Sequence, residues 1–194
     1  MSILTTLAKN IPIFLWGVLF SFIANAETLK PLTHEFQLSN GMKVVVREDH
    51  RAPTVAHMVW YRAGSVDEVS GKTGVAHVLE HMMFKGTKNL APGEFSKKVA
   101  EVGGRDNAFT SKDYTAYFQQ IEKSHLEKMM ALEADRMANL QITEEEFLKE
   151  LQVVMEERRL RTDDQPQAIV NERLYAAAFD ANGGVFEPLL GEED

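Results

Sequence analysis

Gly103-Gly104-Arg105-Asp106-Asn107-Ala108-Phe109-Thr110-Ser111-Lys112-Asp113-Tyr114-Thr115-Ala116-Tyr117-Phe118-Gln119-Gln120 is the stretch on which the fold turns. The paired glycines end a helix, since glycine readily takes the left-handed conformation that closes one. Arg105–Thr110 and Tyr114–Gln120 then read as two strands of a hairpin around the polar Ser111-Lys112-Asp113. On the N-terminal side, Pro92 opens the short helix that Gly103-Gly104 closes. On the C-terminal side, Ser124-His125-Leu126-Glu127 has the spacing of a capping box and predicts a helix to about Asn139. Its apolar face is Leu126, Met129, Met130, Leu132 and Met137, the methionines reading as core filler.

The same grammar recurs further out. His34–Leu38 alternates like a strand, Asn40-Gly41 is a strong hairpin turn, and Met42–Arg47 resumes as a second strand. Thr54–Tyr61 is a third, with Trp60 and Tyr61 expected in the core and at the sheet edge. A loop from Arg62 leads into a helix over about Gly74–Phe84. Thr143-Glu144-Glu145-Glu146 is another capping box, and its helix runs to about Arg161 with an apolar stripe of Phe147, Leu151 and Val154. Amphipathic helix, including Ile169, Val170, Leu174 and Tyr175, continues to Phe179. Strands that come in hairpins and are separated by helices predict an α+β fold, a largely antiparallel sheet with helices packed on it.

One helix carries chemistry. His77-Val78-Leu79-Glu80-His81 is H-x-x-E-H, the inverted form of a zinc-protease motif. On a helix His77 and His81 project from one face, one turn apart, where a single metal ion could take a nitrogen from each. Glu80 stays on the same side, within reach of a water on such a metal. Glu150 and Glu157, two turns apart, fall on or beside the stripe of the later helix. Carboxylates there are costly to bury unless a cation neutralises them, either a metal or one of Arg158, Arg159 and Arg161. His34, His50, His57 and His125 lack ligand spacing and read as surface or strand residues, and Asp163-Asp164 as solvated loop.

Residues 1–26 read as a secretory signal peptide: Lys9, an apolar run from Ile11 to Ile23, and Ala24-Asn25-Ala26 as the cleavage site. The expectation is an exported, periplasmic protein of a Gram-negative bacterium, or one anchored by an uncleaved signal. The run is too short for a comfortable membrane span of about 20 residues. The formal charge of −8 argues against nucleic acid and anionic membrane as partners. With no cysteine, any metal must be held by histidine and carboxylate. Residues 27–180 suit one domain, while 181–194 are acidic and aperiodic, a tail or the point where a longer protein was cut.

Several motifs together resemble the M16 metallopeptidases, the family of pitrilysin, insulin-degrading enzyme and the mitochondrial processing peptidase, and most of all its short exported bacterial members. They are His77-x-x-Glu80-His81, Glu157 at 76 residues beyond His81, Glu150 seven before that, and Gly103–Tyr117, similar to that family's G-G-x-x-N-A-x-T-x-x-x-x-T-x-Y segment. The resemblance covers about Leu32–Ala178. It implies one Zn²⁺ held by His77, His81 and Glu157, Glu80 as general base, and Glu150 as a carboxylate orienting a ligand histidine. It also implies that Asn107, Ala108, Phe109 and Thr110 pair with the substrate backbone as an added strand. Family subunits have two homologous halves, the second supplying an Arg and a Tyr, and only one half is legible here. The expected function is a zinc-dependent endopeptidase of peptides or unfolded polypeptides that works with a second M16-type half. The alternative is a non-catalytic peptide-binding or scaffold subunit, or an inactive fragment.

Overall fold

The computed structural model of the chain describes residues 32–69 and 72–179. The expected signal peptide and the acidic segment 181–194 lie outside them. The chain divides into two compact units, 1–52 and 53–194.

The first unit is a hairpin of β1 (Thr33–Gln37) and β2 (Lys43–Arg47), paired antiparallel from Thr33 opposite Arg47 to Gln37 opposite Lys43. Leu38 and Met42, expected at strand ends, close the turn instead: the Leu38 N–H donates to Met42 O at 2.9 Å. Asn40 Oδ1 accepts the Met42 N–H at 3.0 Å, the local bond that makes Asn-Gly so strong a turn signal.

In the second unit β3 (Thr54–Tyr61), β4 (Arg105–Thr110) and β5 (Thr115–Glu122) form an antiparallel sheet ordered β3-β5-β4. Central β5 buries Tyr117, Gln119 and Ile121 on one face. Against that face pack Phe95 and Val99 of α2 (Glu94–Glu101) and Met129 of α3 (Leu126–Asn139), with Leu90 completing the core. Gly104 makes the packing possible, because a Cβ there would lie 2.6 Å from Ile121 Cγ2 and 2.9 Å from Val99 Cγ1. The opposite face carries Met58, Trp60, Phe109 and Phe118. Trp60 is 54% exposed there, stacked edge-on against Phe109, and is not the core residue its size suggested.

Four local expectations are corrected. β5 runs on to Glu122 to seat Ile121, so the Glu122 carboxylate reaches the Ser124 N–H at 2.9 Å and the capping box at Ser124 does not form. A 3-10 turn, Lys123–His125, intervenes and α3 starts at Leu126. Among the α3 methionines only Met129 is core, since Met130 and Met137 are 52% and 46% exposed. The buried face at 129, 133 and 136 is completed by Glu133 and Arg136. At α4 (Glu144–Arg158), Thr143 Oγ1 accepts the Glu146 N–H at 3.3 Å. Glu146 meanwhile pairs with Lys149, leaving half a capping box. The helix loosens after Arg158 into a π turn, Arg159–Asp163, short of the expected Arg161. α5 (Pro166–Phe179) follows and leaves Val170, Leu174 and Tyr175 exposed.

The histidine motif lies on α1 (Val75–Met82). Val78 and Met82 are buried one turn apart, which anchors the helix and turns the neighbouring positions 77 and 81 towards α4. Gly74, at φ 92°, caps the start without a side chain. Glu68 substitutes for one: its two carboxylate oxygens accept the N–H groups of Gly74 and Ala76, each at 2.7 Å. An anion at this end also opposes the helix dipole favourably.

Candidate metal centre

α1 and α4 pack side by side, and the spacing within each helix does the rest. The rings of His77 and His81 stand edge to face with centroids 4.9 Å apart. Glu157 arrives from α4 with Oε2 at 3.6 Å from His77 Nε2 and Oε1 at 3.9 Å from His81 Nε2. One ligand atom from each of the three residues lies within 4.8 Å of the others. Bonds of 2.0–2.1 Å in a tetrahedron put ligand atoms about 3.3 Å apart, so the triangle must contract to hold zinc.

Glu157 Oε2 gives an independent indication. It is buried and accepts no hydrogen bond. Arg161 Nη1 is 3.1 Å away but misaligned for one, and that side chain is largely in solvent. Of the three arginines considered as neutralising partners, Arg158 pairs with Glu172 and Arg159 with Glu156. A carboxylate with one oxygen towards each of two imidazoles, and only a solvent-exposed, misaligned arginine as counter-charge among the described residues, suits a divalent metal. Burial, then the neighbouring His81, holds the pKa of His77 below the ordinary histidine value, a shift towards the neutral ring that a metal ligand needs.

Glu150 lies one layer back. It is 8% exposed, the one buried residue of α4, and Phe147 of the expected apolar stripe is exposed beside it. Its Oε2 is 3.0 Å from His81 Nδ1 and its Oε1 2.6 Å from Lys85 Nζ. Burial pushes its pKa up, but Lys85 and His81 together outweigh that and hold it below the usual carboxylate value. Glu80 receives the hydroxyl hydrogen of Thr110 on Oε2. Thr115 steadies the turn beside it by donating to Ala63 O at 2.9 Å.

All the residues expected at the site line one cleft of about 460 Å³: His77, Glu80, His81, Asn107, Ala108, Phe109, Thr110, Glu150 and Glu157. Phe84, Lys85 and Arg161 complete it. Asn107–Thr110 are on β4, at the end of the sheet order, where Asn107 Oδ1 accepts the Ala108 N–H at 2.9 Å. Sequence reasoning missed Lys85, whose signal is its place four residues after His81. It also missed Glu68, which no local pattern marks.

Comparison with known proteins agrees with this geometry. The family model described as insulinase, peptidase family M16, matches residues 43–192, a span that starts inside and ends beyond the stretch read from motifs. The zinc protease PqqE of Helicobacter pylori is 42% identical over 156 residues, which cover 80% of this chain and 35% of that protein. The uncharacterised zinc protease YmxG of Bacillus subtilis is 34% identical over 159 residues, 82% of this chain and 38% of its own. The crystal structure of a protease from Helicobacter pylori superposes with a TM-score of 0.72 at 44% identity, over 75% of this chain and 35% of that one. The chain thus spans little more than a third of these relatives. With its α+β architecture and its H-x-x-E-H helix set against Glu157, the chain belongs to the M16 peptidase family.

Proposed function

We propose that this chain is the zinc-bearing N-terminal part of an endopeptidase that cuts peptides or unfolded polypeptides, and that it works with a second M16-type half. The observation that carries the reading is the convergence of His77, His81 and Glu157 around a buried, unbonded carboxylate oxygen, with Glu80 on the same helix face. Zinc bound there supplies Lewis acidity towards a peptide carbonyl and acidifies water. Glu80, held through one oxygen by Thr110, takes the proton of the attacking water and returns it to the leaving amine. Glu150 accepts from His81 Nδ1, which leaves Nε2 as the coordinating nitrogen. The β4 edge offers its backbone to an extended peptide.

The second half is proposed because the relatives are more than twice as long and because the face bearing Met58 and Trp60 is apolar and exposed. Export rests on the Ile11–Ile23 run and Ala24-Asn25-Ala26, and the N-terminal residue of the protein isolated from its host checks it. Among the described residues no helix is long and apolar enough to cross a membrane.

The test is cleavage of an unstructured peptide by the purified chain, alone and with a candidate second half. The expected result is little turnover alone, turnover with the partner that a chelator abolishes, and a loss of about 10²–10⁴-fold on Glu80→Gln with zinc retained. Full activity of the Glu80→Gln protein would put the base elsewhere. Ordinary rates from the chain alone would remove the need for a second half.

A further inference from the structure

Glu150 divides its two oxygens between two donors on one stretch of chain, and the second donor has no role in the scheme above. Oε2 faces His81 Nδ1 at 3.0 Å, while Oε1 faces Lys85 Nζ at 2.6 Å. Lys85 lies past the end of α1, in a tight turn where its N–H donates to Met82 O at 2.9 Å. The next residue, Gly86, has φ 109°, and a Cβ on it would strike Leu90 O at 2.6 Å. That backbone is therefore closely specified, and it delivers a mostly buried ammonium to the far side of Glu150 from the histidine.

A carboxylate with one partner can swing about its terminal torsion and swap oxygens, because that torsion is broad. A second donor on the other oxygen fixes the plane. We propose that Lys85 is a positioning residue of the metal centre: by holding Oε1 of Glu150 it keeps Oε2 on the Nδ1–H of His81, so that His81 Nε2 faces Glu157 and the metal position. The proposal rests on the zinc-binding reading and adds a residue to it. Its physical basis is the general behaviour of metal-ligating histidines, whose orientation depends on the group that accepts their other N–H.

The experiment measures zinc affinity of the full chain by competition with a chromophoric chelator, for wild type, Lys85→Met, Lys85→Gln, Lys85→Arg, Glu150→Gln and the Lys85→Met/Glu150→Gln pair. Both neutral variants are expected to bind zinc about 10–100-fold more weakly. Lys85→Arg, which keeps a charged donor, is expected to recover most of the loss. In the Glu150→Gln background Lys85→Met should add little, since the carboxylate it orients is gone. Nitrogen NMR of the zinc-loaded protein supplies the signature: His81 carries its proton on Nδ1 in wild type and loses that single tautomeric state in Lys85→Met. Wild-type affinity in the neutral variants overturns the proposal, as do losses that multiply in the double variant. Collapse of the fold in both neutral variants also overturns it, for the residue would then serve the whole domain. Absence of zinc binding by wild type strikes the proposed function itself, a result distinct from all of these.

Discussion

Glu133 and Arg136 on α3, and buried Glu150 and part-buried Glu157 on α4, are charged residues withdrawn from water to different degrees in the same compact unit. The α3 pair is 2% and 1% exposed and is completed from within. Arg136 Nη2 meets Glu133 Oε2 at 2.6 Å, and Gln119 Nε2 donates to that same oxygen at 3.0 Å. His57 Nδ1 lies 2.7 Å from Gln119 Oε1 at the end of the chain of contacts. Arg136 Nη1 lacks a hydrogen-bond partner, yet its guanidinium carbon sits 4.1 Å from the Phe95 ring and 4.6 Å from the Tyr117 ring. Aromatic faces attract a cation. The α4 pair is finished only at Glu150, while Glu157 turns Oε2 to His77 and Oε1 to His81, and Oε2 accepts no hydrogen bond among the described residues. A closed set of buried charges is structural, whereas an anion met only by an exposed arginine and two histidines is a place for a ligand.

The sharpest way to break this contrast is Glu133→Ala. It leaves Arg136 buried without its anion, and removing one partner of a buried pair costs about 3–5 kcal/mol. Urea unfolding of the metal-free chain should show it, and a loss below about 1 kcal/mol would make the two clusters alike. Thr110→Val comes next. It keeps the β-branched shape on β4 and withdraws the hydroxyl from Glu80, and a hydrogen bond to a charged group is worth about 1.5–3 kcal/mol. Turnover of the active assembly should fall about 10–100-fold with zinc affinity unchanged, and a parallel loss of zinc would contradict the assignment.

Glu157→Gln should change the stability of the metal-free chain by less than about 1 kcal/mol, because among the described residues solvent-screened Arg161 is its only salt-bridge cation besides the histidines. The smallest effect concerns pH. His77 has a folded pKa below its unfolded value, so the unfolded chain binds more protons between the two. Stability of the metal-free protein should therefore be full above about pH 6.5 and decline as pH falls from there through the folded pKa. His77→Gln should flatten that part of the curve, and an unchanged slope would place its origin elsewhere.

Most of the strands were legible because period-two alternation and Asn-Gly are local signals. The motif helix and His77, Glu80 and His81 were legible for the same reason, all three lying within five residues. Glu157 is different: its place beside an apolar stripe marked it as a carboxylate in need of a cation and the resemblance to M16 made it a ligand, but the packing of α1 on α4 produces the convergence. What stayed hidden depends on groups distant in sequence. Glu133 is paid for by Gln119 from the neighbouring strand, so a helix pattern alone filled the core with methionines instead. The capping box at Ser124 failed because β5 needed two more residues to bury Ile121. Glu68 reaches the start of α1 through a loop whose path no periodicity encodes.

The account turns on one measurement, the zinc content of the full chain compared with His77→Ala and Glu157→Gln after equilibration at matched free zinc. The wild type should hold one Zn²⁺ per chain and both variants strongly substoichiometric metal, with their folds intact by circular dichroism. Full zinc occupancy in both variants, or none in the wild type, would contradict it.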